Sequence, residues 1–179
     1  MLRRRIGLAL LIAVLSALTT LTVAAPPAAA DTGGCNSDQP IGKYLASITP
    51  SGSTIRRNIY AKVCLAWNND TGLVHNSTFV LCRTDNLAPC DIRAEVLSAK
   101  VDKYNNAGTY TGTLVDEFFP AYQSGYMDRW SWQGTNKACS GTGYYQANDF
   151  NIRVRLGADG VLYNVGNAFG KKIALPLCF

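Results

Sequence analysis

Beyond residue 30, apolar and polar side chains alternate one by one along much of the chain. The clearest run begins at Ile55, where Ile55, Arg57, Ile59, Ala61, Val63, Leu65 and Trp67 interleave with Arg56, Asn58, Tyr60 and Lys62. A period of two is the side-chain period of a strand, so this run predicts a strand with one buried face. Asn68-Asn69-Asp70-Thr71-Gly72 has turn composition, and LVHNSTFVLC at 73–82 brings the chain back as a second strand. The segment DIRAEVLSAKVDKY, residues 91–104, contains the helix formers Ala, Glu, Leu and Lys. Its apolar residues fall at 92, 94 and 96 and then at 97, 99 and 101, which scatters them around a helical wheel. Along a strand they alternate with one slip at Val96-Leu97, the mark of a β-bulge.

Two more hairpins complete the pattern. Asn105-Asn106-Ala107-Gly108 is a turn leading into TYTGTLVDEFF, an extended stretch rich in Thr, Tyr and Phe that Pro120 ends. Phe150, Ile152, Val154 and Leu156 alternate with Asn151, Arg153 and Arg155, and Gly157-Ala158-Asp159-Gly160 turns that strand into VLYNV. Three hairpins without a long helical stripe predict an all-β fold, an antiparallel β-sandwich or small barrel.

The first 30 residues do not belong to this pattern. Arg3-Arg4-Arg5 precede an apolar run from Ile6 to Val23, and small residues ending Ala28-Ala29-Ala30 follow. That layout predicts a secretory signal peptide, residues 1–30, cut after Ala30. A retained membrane anchor is the alternative; four Ser and Thr residues dilute the run and a cleavage site follows it. The basic n-region and the Ala/Pro tail resemble those of secreted bacterial proteins. Three of the 17 basic residues lie in this segment and all 12 acidic residues lie beyond it, so residues 31–179 carry 14 basic groups against 12 acidic ones. A net charge of +2 leaves no basic stripe, and nucleic acid is not an expected partner. Residues 31–179 are thus expected to be a single secreted, extracellular β domain with no stable membrane insertion.

All six cysteines, Cys35, Cys64, Cys82, Cys90, Cys139 and Cys178, lie beyond residue 30. An even number in an exported chain predicts three disulfides, and six cysteines allow 15 pairings. Cys82–Cys90 is the pair that spacing favours, because the short polar insert Arg83 to Pro89 closes easily; so small a loop is worth roughly 2.5 kcal/mol in unfolded-state entropy. No C-x-x-C pair occurs and His75 is the single histidine, so no metal and no cofactor is expected.

Catalytic motifs are weak. Asp31-Thr32-Gly33 and Asp70-Thr71-Gly72 both match the triplet of aspartic proteases, whose paired carboxylates share a proton. The second copy falls in a turn, where Asp and Gly serve the backbone. His75 is the one candidate base for a Ser-His-Asp arrangement, and Cys139-Ser140-Gly141-Thr142-Gly143 only approximates a nucleophile elbow. Asp116, Glu117 or Asp128 could pair with carboxylates elsewhere in the fold, but adjacent Asp116 and Glu117 point to opposite faces of a strand, which argues against that pair itself. Asn69-Asp70-Thr71 and Asn76-Ser77-Thr78 fit the glycosylation sequon and are read as unmodified.

The most suggestive feature is aromatic. All three Trp, nine Tyr and six Phe lie beyond residue 30, densely so between Phe118 and Gln133. In an extended chain Trp130 and Trp132 share one face about 7 Å apart. That spacing suits a platform stacking sugar rings, with Asp128, Arg129 and Gln133 bonding hydroxyls; it suits core packing equally. The expectation is a binding or surface-layer domain acting without catalysis, its partner a glycan or cell-wall polymer. The alternative is an inhibitor of a secreted protease that presents Arg83 or Leu87 from the Cys82–Cys90 ring. The ring resembles that of Bowman–Birk inhibitors in its two cysteines and their spacing, and lacks that family's Thr and paired Pro. A small extracellular hydrolase is a further, less favoured reading.

Overall fold

The predicted hairpins are the framework of the molecule. A computed structural model describes residues 31–179 apart from 69, 122–124, 158–159, 176–177 and 179. The proposed signal peptide therefore lies outside the described residues. The strands are β1 (Asp31–Gly33), β2 (Lys43–Ile48), β3 (Arg57–Asn68), β4 (Leu73–Thr84), β5 (Ile92–Tyr104) and β6 (Tyr110–Phe119). They continue with β7 (Arg129–Gln133), β8 (Lys137–Ala138), β9 (Tyr144–Leu156), β10 (Leu162–Phe169) and β11 (Ile173–Ala174).

These strands form two antiparallel sheets. In the first, β3 and β4 are central, with β1 and β2 along the free edge of β3 and β7 and β8 along that of β4. In the second the order is β10-β9-β5-β6, with β11 also paired to β9. Each predicted hairpin forms a ladder: β3 with β4, β5 with β6, and β9 with β10. The β9–β10 turn includes Ala158 and Asp159, which lie outside the described residues.

Alternation sets which side of each sheet is dry. Ile59, Ala61, Val63 and Leu65 of β3 turn inward with no exposed area, as do Ile92, Ala94, Val96, Ala99 and Val101 of β5. The expected bulge is present between β5 and β6, whose register shifts between the Val96–Phe119 and Ala99–Glu117 pairs, while against β9 the register stays continuous, Val96 pairing with Ile152 and Ser98 with Phe150. Asn151 takes a φ of 53°, and exposed Leu97 stands opposite it. The slip keeps Ala99 and Val101 facing the core after Val96.

Three disulfides tie the sandwich: Cys35–Cys64, Cys82–Cys90 and Cys139–Cys178. The first joins the segment after β1 to β3, and the third fixes the C-terminal segment to the start of the loop before β9. Among the described residues no helix is long and apolar enough to cross a membrane.

Candidate functional site

Strand β7 gives the sequence-predicted residues two different fates. Trp130 and Trp132 are 1% and 5% exposed and lie inside the sandwich. Their rings stack on each other at 6.1 Å, and Trp132 stacks on Phe119 at 5.7 Å. Each indole N–H is satisfied indoors, Trp130 donating to the Ile92 carbonyl at 2.7 Å and Trp132 to that of Pro120 at 3.3 Å. The sugar platform expected of this pair is thereby corrected: the two do share a face, but the apolar face of β7 is the one the sandwich buries.

The opposite face of the same strand is open. Arg129, Ser131 and Gln133 project outward, paired in register with Leu81, Phe79 and Ser77 of β4. They line a shallow depression of about 470 Å³ together with Ser77, Phe79 and the backbone of the Thr78–Trp132 pair. Arg129 rests on Phe79, its guanidinium carbon 4.1 Å from the ring centroid. On the neighbouring strand Lys62 pairs with Phe79, and Tyr60 with Leu81, so the face continues across β3 to Tyr44, which meets Tyr60 edge-on at 5.8 Å. Of the predicted ligand set, Arg129 and Gln133 reach this site with their side chains. Asp128 does not; it forms an ion pair with Arg83 at 3.0 Å.

That pair also places the proposed inhibitor ring. Arg83 continues β4, pairs with Pro89 across the ring and donates both to the Cys82 carbonyl and to Asp128. The Leu87 N–H bonds to the Thr84 carbonyl and the Thr84 N–H to that of Ala88. Leu87, 63% exposed, takes a left-handed φ of 64°. A tight turn followed by a left-handed residue is a common three-residue hairpin closure. The Cys82–Cys90 segment is a stapled hairpin tip, folded back on itself around an exposed leucine.

Behind the depression lies a polar cluster that sequence reasoning missed. Asp149 of β9 has no exposed area and faces Asn76 and Thr78 of β4, themselves buried. The Thr78 Oγ1 lies 2.7 Å from both Asn76 Oδ1 and Asp149 Oδ2. Asn76 Nδ2 donates to Asp149 Oδ1 at 2.8 Å and to the Lys100 carbonyl at 3.2 Å. A hydroxyl has one proton and cannot donate to two acceptors. The cluster closes only if Asp149 is protonated and donates to Thr78, Thr78 donates to Asn76, and Asn76 donates back to Asp149. Turning the Asn76 amide over would aim its oxygen at the Lys100 carbonyl, so that alternative fails. Desolvation by burial acts in the same direction, pushing the Asp149 carboxyl up to about 7, so that it is neutral below that pH.

Other candidates serve the scaffold. His75 is buried and its Nδ1 meets Asn136 Oδ1 at 2.8 Å. Asp116 faces outward to Ser98 and Lys100, whereas Glu117 turns the other way and accepts from the Thr135 N–H at 2.8 Å, so the two carboxylates diverge as expected. Asp70 and Thr71 donate their backbone N–H groups to Asn68 Oδ1 in the β3–β4 turn, the structural role expected of the second Asp-Thr-Gly triplet. Around Ser140 the glycines are required by the backbone. Gly143 has a φ of 140°, and a Cβ there would lie 2.2 Å from the Tyr104 carbonyl oxygen. The Tyr145 hydroxyl donates to the Ser140 carbonyl at 2.7 Å and accepts from the Ser140 N–H at 3.0 Å, which pins the loop. Asn76 is fully buried, so this fold leaves no room for a glycan there; Asn69, of the other sequon, lies outside the described residues. No group of three His, Cys, Asp or Glu residues suited to a metal occurs among the described residues.

The residues thus define a disulfide-tied antiparallel β-sandwich with a polar, aromatic-centred depression on its first sheet. No protein-family model matches the chain, and neither a curated protein nor a solved structure matches it.

Proposed function

We propose that the chain is exported, loses residues 1–30 and acts outside the cell as a binding domain for carbohydrate or cell-wall polymer. The observation that carries this reading is the β4–β7 depression. It combines an aromatic ring, Phe79, with short neutral hydrogen-bonding groups, Ser77, Ser131 and Gln133, on a rigid sheet. Sugars present apolar faces rimmed by hydroxyls, which such a mixture matches. Three disulfides fit an oxidising compartment. Hydrolysis finds less support, because among the lining residues Arg129 is the single titratable side chain and a second convergent group is needed. Protease inhibition also finds less support, since Arg83 is engaged with Asp128 and the ring tip is a folded turn.

Retention of the oxidised protein on insoluble polysaccharides and isolated cell walls tests the reading. Wild type is expected to be retained on at least one matrix and Phe79→Ala to pass through while still folded, its melting temperature lowered by only about 2–8 °C. Equal retention of the two proteins, or none on any matrix, would overturn it.

A further inference from the structure

We infer that the β4–β7 depression selects an acidic sugar, one that carries a carboxylate or phosphate, over a neutral one. The inference rests on the glycan reading above and adds a charge requirement to it. Two cations stand on either side of Phe79. Arg129 lies over the ring at 4.1 Å, and Lys62 occupies the position directly across β3 from it, on the same outer face. Neither belongs to an ion pair among the described residues.

The acids that might neutralise them are engaged elsewhere. Asp128, next to Arg129 in sequence, is held by Arg83 at 3.0 Å, and Asp85 accepts from Asn58 Nδ2 at 3.0 Å. No Asp or Glu lines the depression. A neutral saccharide needs only Phe79, Ser77, Ser131 and Gln133. Two uncompensated cations flanking the ring gain most from a ligand that brings negative charge. A guanidinium supported on an aromatic face is also well suited to the two oxygens of a carboxylate or phosphate, because stacking leaves its N–H edge free.

Four ligands separate the possibilities by titration calorimetry on the oxidised protein: galacturonic acid oligomers, their neutral methyl esters, a phosphomannan and a neutral mannan. At least one acidic ligand is expected to bind about tenfold or more tightly than its neutral counterpart, with the preference shrinking as salt is raised to about 0.3 M. Arg129→Gln and Lys62→Gln should each remove most of that preference, weakening the acidic ligand by a larger factor than the neutral one. Lys172→Gln, a charge-matched control near Tyr104 on the other sheet, should leave it intact. Equal binding of acidic and neutral ligands, or equal losses in Lys172→Gln and Arg129→Gln, overturns the charge requirement and leaves the glycan reading standing. Absence of binding to all four overturns the charge requirement, and loss of the polysaccharide retention described above overturns the glycan reading with it.

Discussion

Strand β7 and its partner β4 carry opposite kinds of surface on their two faces. Inward, Trp130 and Trp132 stack on Phe119 and lie beside a sealed polar ring of Asn76, Thr78 and Asp149. Outward, Arg129, Ser131 and Gln133 face solvent around Phe79. The residue types do not sort as polar outside and apolar inside. What sorts them is parity, since each side chain's face is fixed by its place in the two-residue period. A polar residue caught on the inner face must then find partners there, and an aromatic one on the outer face is covered by what stands beside it, as Phe79 is by Arg129.

The two faces should respond differently to substitution. The largest effect is expected at Trp130, where truncation to alanine leaves a cavity and removes the indole's bond to the Ile92 carbonyl, which keeps that from the Met127 N–H. Trp130→Ala should cost about 3–5 kcal/mol in denaturant unfolding. A loss below about 1 kcal/mol would place the ring outside the core.

Next in size is the proton held by Asp149. The unfolded carboxyl releases it near its ordinary value of 3.8, whereas the folded one keeps it up to about 7. Between those values the unfolded chain binds fewer protons, so stability is fully present below about pH 4 and falls as pH rises towards 7, by up to about 4 kcal/mol. Asp149→Asn places an N–H where the acid holds its proton and keeps the acceptor facing Asn76. It should match wild type at low pH, remove the slope and exceed wild type at neutral pH. Unfolding curves across that window check it; a wild type that gains stability with rising pH would mean an ionised Asp149.

Smaller effects belong to the outer face. Phe79→Ala, at a half-buried position, should cost about 1–2 kcal/mol, and Gln133→Ala should stay within about 0.5 kcal/mol of wild type. Both should nevertheless weaken polysaccharide retention. Unchanged retention in both would sever the depression from binding.

Much of the fold is legible in the sequence because alternation and turn chemistry reinforce each other. The β3–β4, β5–β6 and β9–β10 hairpins, the slip after Val96 and the Cys82–Cys90 bridge all follow from local pattern. Strands β1, β2, β8 and β11 do not, because short edge segments such as KYLASI owe their form to the neighbouring strand rather than to their own periodicity. The site is harder to see because its residues invert the binary pattern. In β4, Val74 and Val80 fix the inward parity, which sends Asn76 and Thr78 inside and Phe79 out. In β9, Tyr145 and Ala147 likewise carry Asp149 into the core. Parity carried through β4 exposes its inversions, but in β9 it changes at Asn151, so the Ile152-Val154-Leu156 alternation alone would send Phe150 in and Asp149 out; that the three inward polar residues meet one another depends on how the two sheets pack, which local pattern does not encode.

Backbone amide chemical shifts recorded while an acidic oligosaccharide is added test the division between the faces most directly. Perturbations should concentrate at Ser77–Phe79 and Arg129–Gln133, spread to Lys62 and leave the second sheet unmoved. Shifts centred on the outer face of that second sheet, around Phe150 and Phe169, would contradict the assignment of binding to β4 and β7.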